Sequence, residues 1–307
     1  MNTTATATAT SATAAHHRIG LALVFCAVLS WSTAGLFTRV VGTDLATTLL
    51  WRAIVGGLCV LGGYALFART DRRESPLRLL RFSRGELIVA ALTAGGMLCY
   101  IAAFFHTTIA NVAVMYGTVP LMTAPLAYLI LRERVSALAI ACCLACALGV
   151  GVMVNGAQRF DDLFGIALGV GMSLFMAAMT IAAKYFPQAS MVKATYLSAF
   201  LCALVAAPFA SSPFSVTLSD YLWLALYGLV TVAFGFGAYL IGAQRIAALT
   251  ATLISMVEIP LAPLLAWWVF AEAPGGATAL GGAVVMAAAL VYLLANQTHA
   301  RVAAHAK

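Results

Sequence analysis

Ten long apolar runs, almost free of charge, fill this chain and leave few folds open to it. A hydrocarbon core about 30 Å thick is crossed by about 20 apolar residues in a helix. By that ruler the runs lie near 19–41, 45–68, 86–106, 110–131, 136–154, 164–185, 190–208, 220–242, 247–271 and 276–295. Each is continuous, whereas a barrel strand shows about ten residues of alternating polarity, so a β-barrel is excluded. The chain is 63% hydrophobic and 9% charged, against roughly a quarter charged in a soluble domain. The expected fold is an all-α integral membrane protein of ten transmembrane helices.

Charge placement orients these helices, because Lys and Arg accumulate on the cytoplasmic side. With the N-terminus inside, 14 of the 17 basic residues fall in cytoplasmic segments. Only Arg39 and Arg159 fall outside, and Arg52 lies within the second span. Both termini are therefore expected in the cytoplasm. The net charge of +7 needs no nucleic-acid partner, since the basic loop 69–84 fits a role in topology and in contact with anionic headgroups. The loops leave no room for an ATPase domain.

A weak internal repeat runs through the chain. The segment from Tyr100 to Glu133 resembles that from Tyr239 to Glu272. A shift of 139 residues superposes both ends, while Pro120 and Pro260 miss by one position. A five-span repeat places its second copy upside down, and inverted repeats of this kind characterise secondary transporters with a site near the midplane. Proline removes a backbone donor and crowds the preceding turn. Pro120 and Pro260 are accordingly expected to kink the fourth and ninth spans and act as hinges, with a second break in each at Pro125 and Pro263.

The ten spans in two halves, with P…LRE at Pro120–Glu133 and P…FAE at Pro260–Glu272, resemble the drug/metabolite transporter superfamily, EamA type. Trp31-Ser32 and Arg52 also resemble the first-half pattern, although Trp31-Ser32 has no clear partner in the sixth span. The resemblance covers essentially residues 19–295. It implies export of amino acids, other metabolites or drugs, and within the family it is nearest to bacterial aromatic amino-acid exporters. The implied organisation is a disordered cytoplasmic N-terminus over 1–18, a first five-helix repeat over 19–155, an inverted second over 160–296 and a cytoplasmic tail over 297–307. The Ala/Thr alternation of 2–15 accounts for the expected disorder, and without a basic start before it no signal cleavage is expected.

Of the ten acidic residues only Glu258 lies about halfway along a span, two residues before Pro260. A carboxylate at that depth costs at least ~2.5 kcal/mol unless it faces a cavity, finds a partner or stays protonated. It can contact a substrate amine, couple proton movement, or sit neutral against a carbonyl freed by the proline. Arg52, the one base well inside a span, can bind a carboxylate, pair with Glu258 or snorkel outward. A single deep arginine argues against phosphorylated substrates, which demand several bases.

Trp31, Tyr100, Tyr116 and Tyr239 lie at mid-span, away from the interfacial belts. With Ser32, Thr33, Thr118 and Ser255 they suit a cavity for small, partly apolar zwitterions. The candidate substrate-binding set is Trp31, Ser32, Arg52, Tyr100, Tyr116, Thr118, Tyr239, Ser255 and Glu258. His106 reads as a surface histidine near a span end. The seven cysteines all fall inside spans, and the Cys143–Cys146 pair has no nearby histidine, so packing explains them. No metal and no cofactor are expected.

The leading function is a secondary transporter exporting amino acids or similar metabolites across the inner membrane by alternating access. The partners expected are a small-molecule substrate and the lipid bilayer, not nucleic acid, in a monomer or weak homodimer. A membrane-embedded transferase would need clustered deep His or Asp, and a channel would need a polar filter. Neither pattern is present in the sequence.

Overall fold

A computed structural model describes residues 2–70, 80–133, 136–155, 160–211 and 213–305. Most of the basic loop 69–84, together with Arg134 and Arg159, lies outside them. The described chain is helical and contains no strand. Among the described residues, eight helices are long and apolar enough to cross a membrane: His17–Val40, Leu45–Leu66, Arg84–His106, Ile109–Leu131, Asp162–Tyr185, Met191–Phe209, Leu218–Ala243 and Ala248–Phe270. Two helices with shorter apolar stretches, Ala137–Asn155 and Gly276–His305, occupy the fifth and tenth places. In chain order these are the first to tenth spans.

The surface is apolar where a soluble protein would be polar. Leu58, Leu144, Leu148, Leu204, Trp267 and Trp268 all point outward, as lipid-facing residues do. Polar side chains turn inward instead, where backbone and hydroxyl groups must satisfy one another. Thr93, Thr123, Thr180 and Thr195 are buried, and each donates to the carbonyl four residues earlier in its own helix.

Contacts at the helix ends establish that the halves are inverted. Arg39, ending the first span, donates to Phe104 and Thr107 carbonyls at the end of the third. Gly165, near the start of the sixth, packs on Thr107. At the other face, Gly20 of the first span packs on Gly242 of the eighth, and Gln244 donates to the Ala183 carbonyl late in the sixth. The first and sixth spans therefore run in opposite directions.

Three spans are interrupted at mid-depth. The first breaks at Ser32–Thr33, the fourth at Gly117–Thr118 just before Pro120, and the ninth through a 3₁₀ turn at Ser255–Val257 just before Glu258 and Pro260. Pro120 thus sits in the first turn of the resumed helix, where its missing N–H leaves no intrahelical bond unmade. The two outer prolines differ. Pro125 is followed by a π turn at Ala127–Leu131, but the helix runs unbroken through Pro263 to Phe270. The second break expected at Pro263 is absent, because one lost hydrogen bond can bend a helix without changing the conformation of its neighbours.

The ends also depart from expectation. The first helix begins at Asn2 and absorbs the Ala/Thr stretch expected to be disordered, and the last continues to His305 through the expected tail. Alanine is the best helix former, and extending an existing helix carries no nucleation penalty.

Candidate functional site

Between the two halves, at the depth of the three helix breaks, the mid-span aromatics converge. The Trp31 ring lies 4.8 Å from Phe236, 5.1 Å from Tyr239 and 6.4 Å from Tyr116, centroid to centroid. Its Nε1 donates to the Thr231 carbonyl at 3.0 Å. Tyr100 donates to Glu258 Oε1 at 2.6 Å and stands 3.2 Å from the Trp31 carbonyl. Tyr239 shares a 2.9 Å hydrogen bond with Thr180. Trp31, Gly96, Tyr100, Tyr116, Met172, Met176, Met179 and Phe236 enclose a cavity of about 20 Å³, room for about one water.

Glu258 is 1% exposed, and its Oε2 has no hydrogen-bond partner among the described residues. The Tyr116 hydroxyl is likewise buried, with no hydrogen-bond partner among the described residues. A buried carboxylate oxygen without a donor costs several kcal/mol if charged, so the acid is poised either to hold a proton or to receive a cationic group.

Arg52 is fully buried in the second span. Its Nη1 donates to Thr231 Oγ1 at 2.9 Å, and its guanidinium lies 4.9 Å over the Tyr227 ring. Nε, Nη2 and the Tyr227 hydroxyl have no partners among the described residues. Of the three fates open to Arg52 in the sequence, two are removed here: it does not snorkel, and it makes no ion pair with Glu258 among the described residues. Its cation–π contact and single hydrogen bond leave two donors free for an anion.

The eighth span explains how the arginine is held. It stays helical throughout but widens into a π-helical stretch over Gly228–Phe236, and such insertions are frequent at functional sites. The stretch accepts from Ser30 and Trp31 at the carbonyls of Val230 and Thr231 while presenting Thr231 Oγ1 to Arg52. Gly228 is required here by proximity. A Cβ on it would fall 2.3 Å from the Arg52 carbonyl oxygen, and one on Gly235 would fall 2.5 Å from Trp31 Nε1.

Trp31, Tyr100, Tyr116, Tyr239 and Glu258 come together, and Arg52 joins them through Thr231. Ser32, Thr118 and Ser255 are buried beside them at the three breaks, but their hydroxyls donate to Val28, Met115 and Ala251 of their own helices. Tyr227, Thr231, Phe236 and the three methionines were not among the candidates. Met172, Met176 and Met179 recur at helical spacing, a stripe visible in the sequence. The glycine-rich segment Gly228–Gly237 carried the signal for Tyr227 and Phe236.

The larger clefts lie elsewhere. A groove of about 330 Å³ between the ninth and tenth spans includes Pro263 and Trp267, and one of about 380 Å³ beside the fourth and fifth includes Pro125 and Tyr128. Both are almost wholly apolar and open onto exposed residues, which suits lipid chains better than polar solutes.

Comparison with known proteins agrees with this architecture. The EamA-like transporter family matches the chain twice, over residues 18–155 and 163–294. The chain is 26% identical over 266 residues to an uncharacterized transporter of Synechocystis sp., covering 79% of this chain and 75% of that one. It is 26% identical over 278 residues to an uncharacterized transporter of Archaeoglobus fulgidus, covering 89% and 96%. A crystal structure at 22% identity shares the fold with a TM-score of 0.69, covering 91% of this chain and 98% of that one. The chain is a multi-pass membrane transporter and belongs to the EamA-like transporter family.

Proposed function

We propose that this transporter exports small metabolites, amino acids of aromatic or broad neutral type, across the inner membrane by alternating access. The observation that carries the reading is the pair of incompletely satisfied buried groups tied to one aromatic enclosure: Glu258, with a free oxygen, through Tyr100, and Arg52, with two free donor nitrogens, through Thr231. A zwitterion offers an ammonium to the first and a carboxylate to the second, and Trp31, Tyr116, Phe236 and the methionine stripe offer apolar surface to a side chain. Glu258 serves as the amine contact or as the proton-coupling group. The cavity of about 20 Å³ must widen to admit a solute.

A second reading within the same family is export of cationic drugs. The adaptable methionine wall and a buried carboxylate favour it, while Arg52 disfavours it. Counterflow in proteoliposomes separates the two. Radiolabelled phenylalanine should exchange saturably and be displaced by other neutral amino acids, with a sugar inert. Saturable exchange of a cationic dye without phenylalanine exchange would favour the drug reading.

A further inference from the structure

The two halves are fastened to one another at both faces by the same two devices. At one face Glu133, ending the fourth span, pairs with Lys184, ending the sixth. At the other Glu272, ending the ninth, pairs with Arg39, ending the first. The acids are 139 residues apart and the bases 145. Those are the offsets between the ends and between the starts of the two family matches. The ion pairs are thus repeat-related counterparts, each reaching from one half to the other.

The second device is a first-turn carboxylate that holds its own N-cap residue with one oxygen and the opposite half with the other. Glu86 caps the third span by accepting from the Ser83 amide at 2.7 Å, and its other oxygen accepts from the Ser190 amide of the second half at 3.1 Å. Asp220, in the first turn of the eighth span, accepts from the hydroxyl of the N-cap Thr217 at 2.7 Å, and its other oxygen accepts from the Gly42 amide of the first half at 3.2 Å. Positive charge in the sequence puts the Glu133, Lys184 and Glu86 face in the cytoplasm and the Arg39, Glu272 and Asp220 face outside.

We propose that these links are paired gates. Glu133–Lys184 and Glu86–Ser190 close the inner mouth, Arg39–Glu272 and Asp220–Gly42 close the outer, and each opening releases one set while the other holds. The proposal rests on the alternating-access reading. Both sets are made in this structure. The ion pairs suit reversible closure because their side chains remain 23–31% exposed, where such pairs are weak. Both partners of the outer ion pair make further bonds to the first half. Arg39 keeps its bonds to the third-span carbonyls when the carboxylate leaves. Glu272 also accepts from the Ile109 amide at 3.0 Å, a second link across the outer mouth that glutamine can keep.

The test is accessibility of a single cysteine, Met176→Cys, in an otherwise cysteine-free full-length chain. An impermeant maleimide is applied from either side of oriented membrane vesicles. Glu272→Gln should speed labelling from outside and slow it from inside by about two- to fivefold, the range an exposed ion pair provides. Glu133→Gln should do the reverse. As an independent check, cross-linked cysteines at 133 and 184 should block counterflow until the linker is cleaved. Equal shifts in both variants, no shift, or counterflow unaffected by the cross-link would overturn the gates. Opposite labelling shifts without phenylalanine exchange would leave the gates standing and remove the amino-acid reading instead.

Discussion

The Tyr100 hydroxyl donates to Glu258 Oε1 across 2.6 Å, joining the third span of one half to the broken ninth span of the other at the depth where all breaks meet. It is the one described donor that holds the deep carboxylate. A group that must exchange a proton or an ammonium needs one fixed partner and one free oxygen, and Glu258 has both.

Tyr100→Phe should therefore lower phenylalanine counterflow about tenfold or more, since an unsatisfied buried acceptor costs ~1–3 kcal/mol. Glu258→Gln separates the roles of the acid. If it couples protons, pH-gradient-driven transport should vanish while exchange persists. Gradient-driven transport equal to the parent's would remove the coupling role.

Arg52→Gln should raise KM for neutral amino acids about tenfold or more, because a charge-assisted hydrogen bond contributes ~1.5–3 kcal/mol. Phenethylamine, which lacks the carboxylate, should inhibit parent and variant alike. Arg52→Lys should recover little, since an ammonium reproduces neither the planar fork nor the stacking on Tyr227. Inhibition constants in both backgrounds check this.

Gly228→Ala should lower thermal stability in detergent and weaken transport together. The added methyl group meets backbone rather than a movable side chain, at 2.3 Å from the Arg52 carbonyl oxygen, so the second and eighth spans must separate. Gly237→Ala meets no atom within 4 Å and should leave both properties near the parent values.

Asp44, outside the membrane at the start of the second span, offers a pH-dependent stability test. Burial raises its carboxyl pKa, but hydrogen bonds from the Thr47 hydroxyl and amide and the Ala46 amide outweigh that and hold it below its ordinary 3.8. A lowered folded-state value adds stability above the ordinary value that is lost as pH falls through the lowered one. Asp44→Ala should cost about 1 kcal/mol at neutral pH, as lost helix caps do. The difference in melting temperature should shrink below pH 3.8.

Much of this architecture was legible in the chain. Apart from the extended first and last helices, span positions agreed with the helices to within a few residues, because membrane-crossing helices are set by local hydropathy and backbone hydrogen bonding. Mid-span Trp31, Tyr100, Tyr116, Tyr239 and Glu258 could be singled out because polar and aromatic groups at that depth are costly unless buried together. The disorder expected for 2–15 and the second break expected at Pro263 followed from local rules that neighbouring helical structure overrode.

What the sequence determined by itself was the class: ten apolar spans, an inverted repeat and one deep acid, all consequences of the 30 Å apolar layer that each segment meets alone. Tertiary structure decided the partners. The packing, not the order of residues, placed Arg52 on Tyr227 and Thr231 instead of on Glu258, and gave Glu258 to Tyr100. It also joined Glu133 to Lys184 and Glu272 to Arg39. Those pairings depend on how two inverted halves dock, and a hydrogen bond is decided within about 3 Å, a precision that hydropathy and spacing along the chain do not carry.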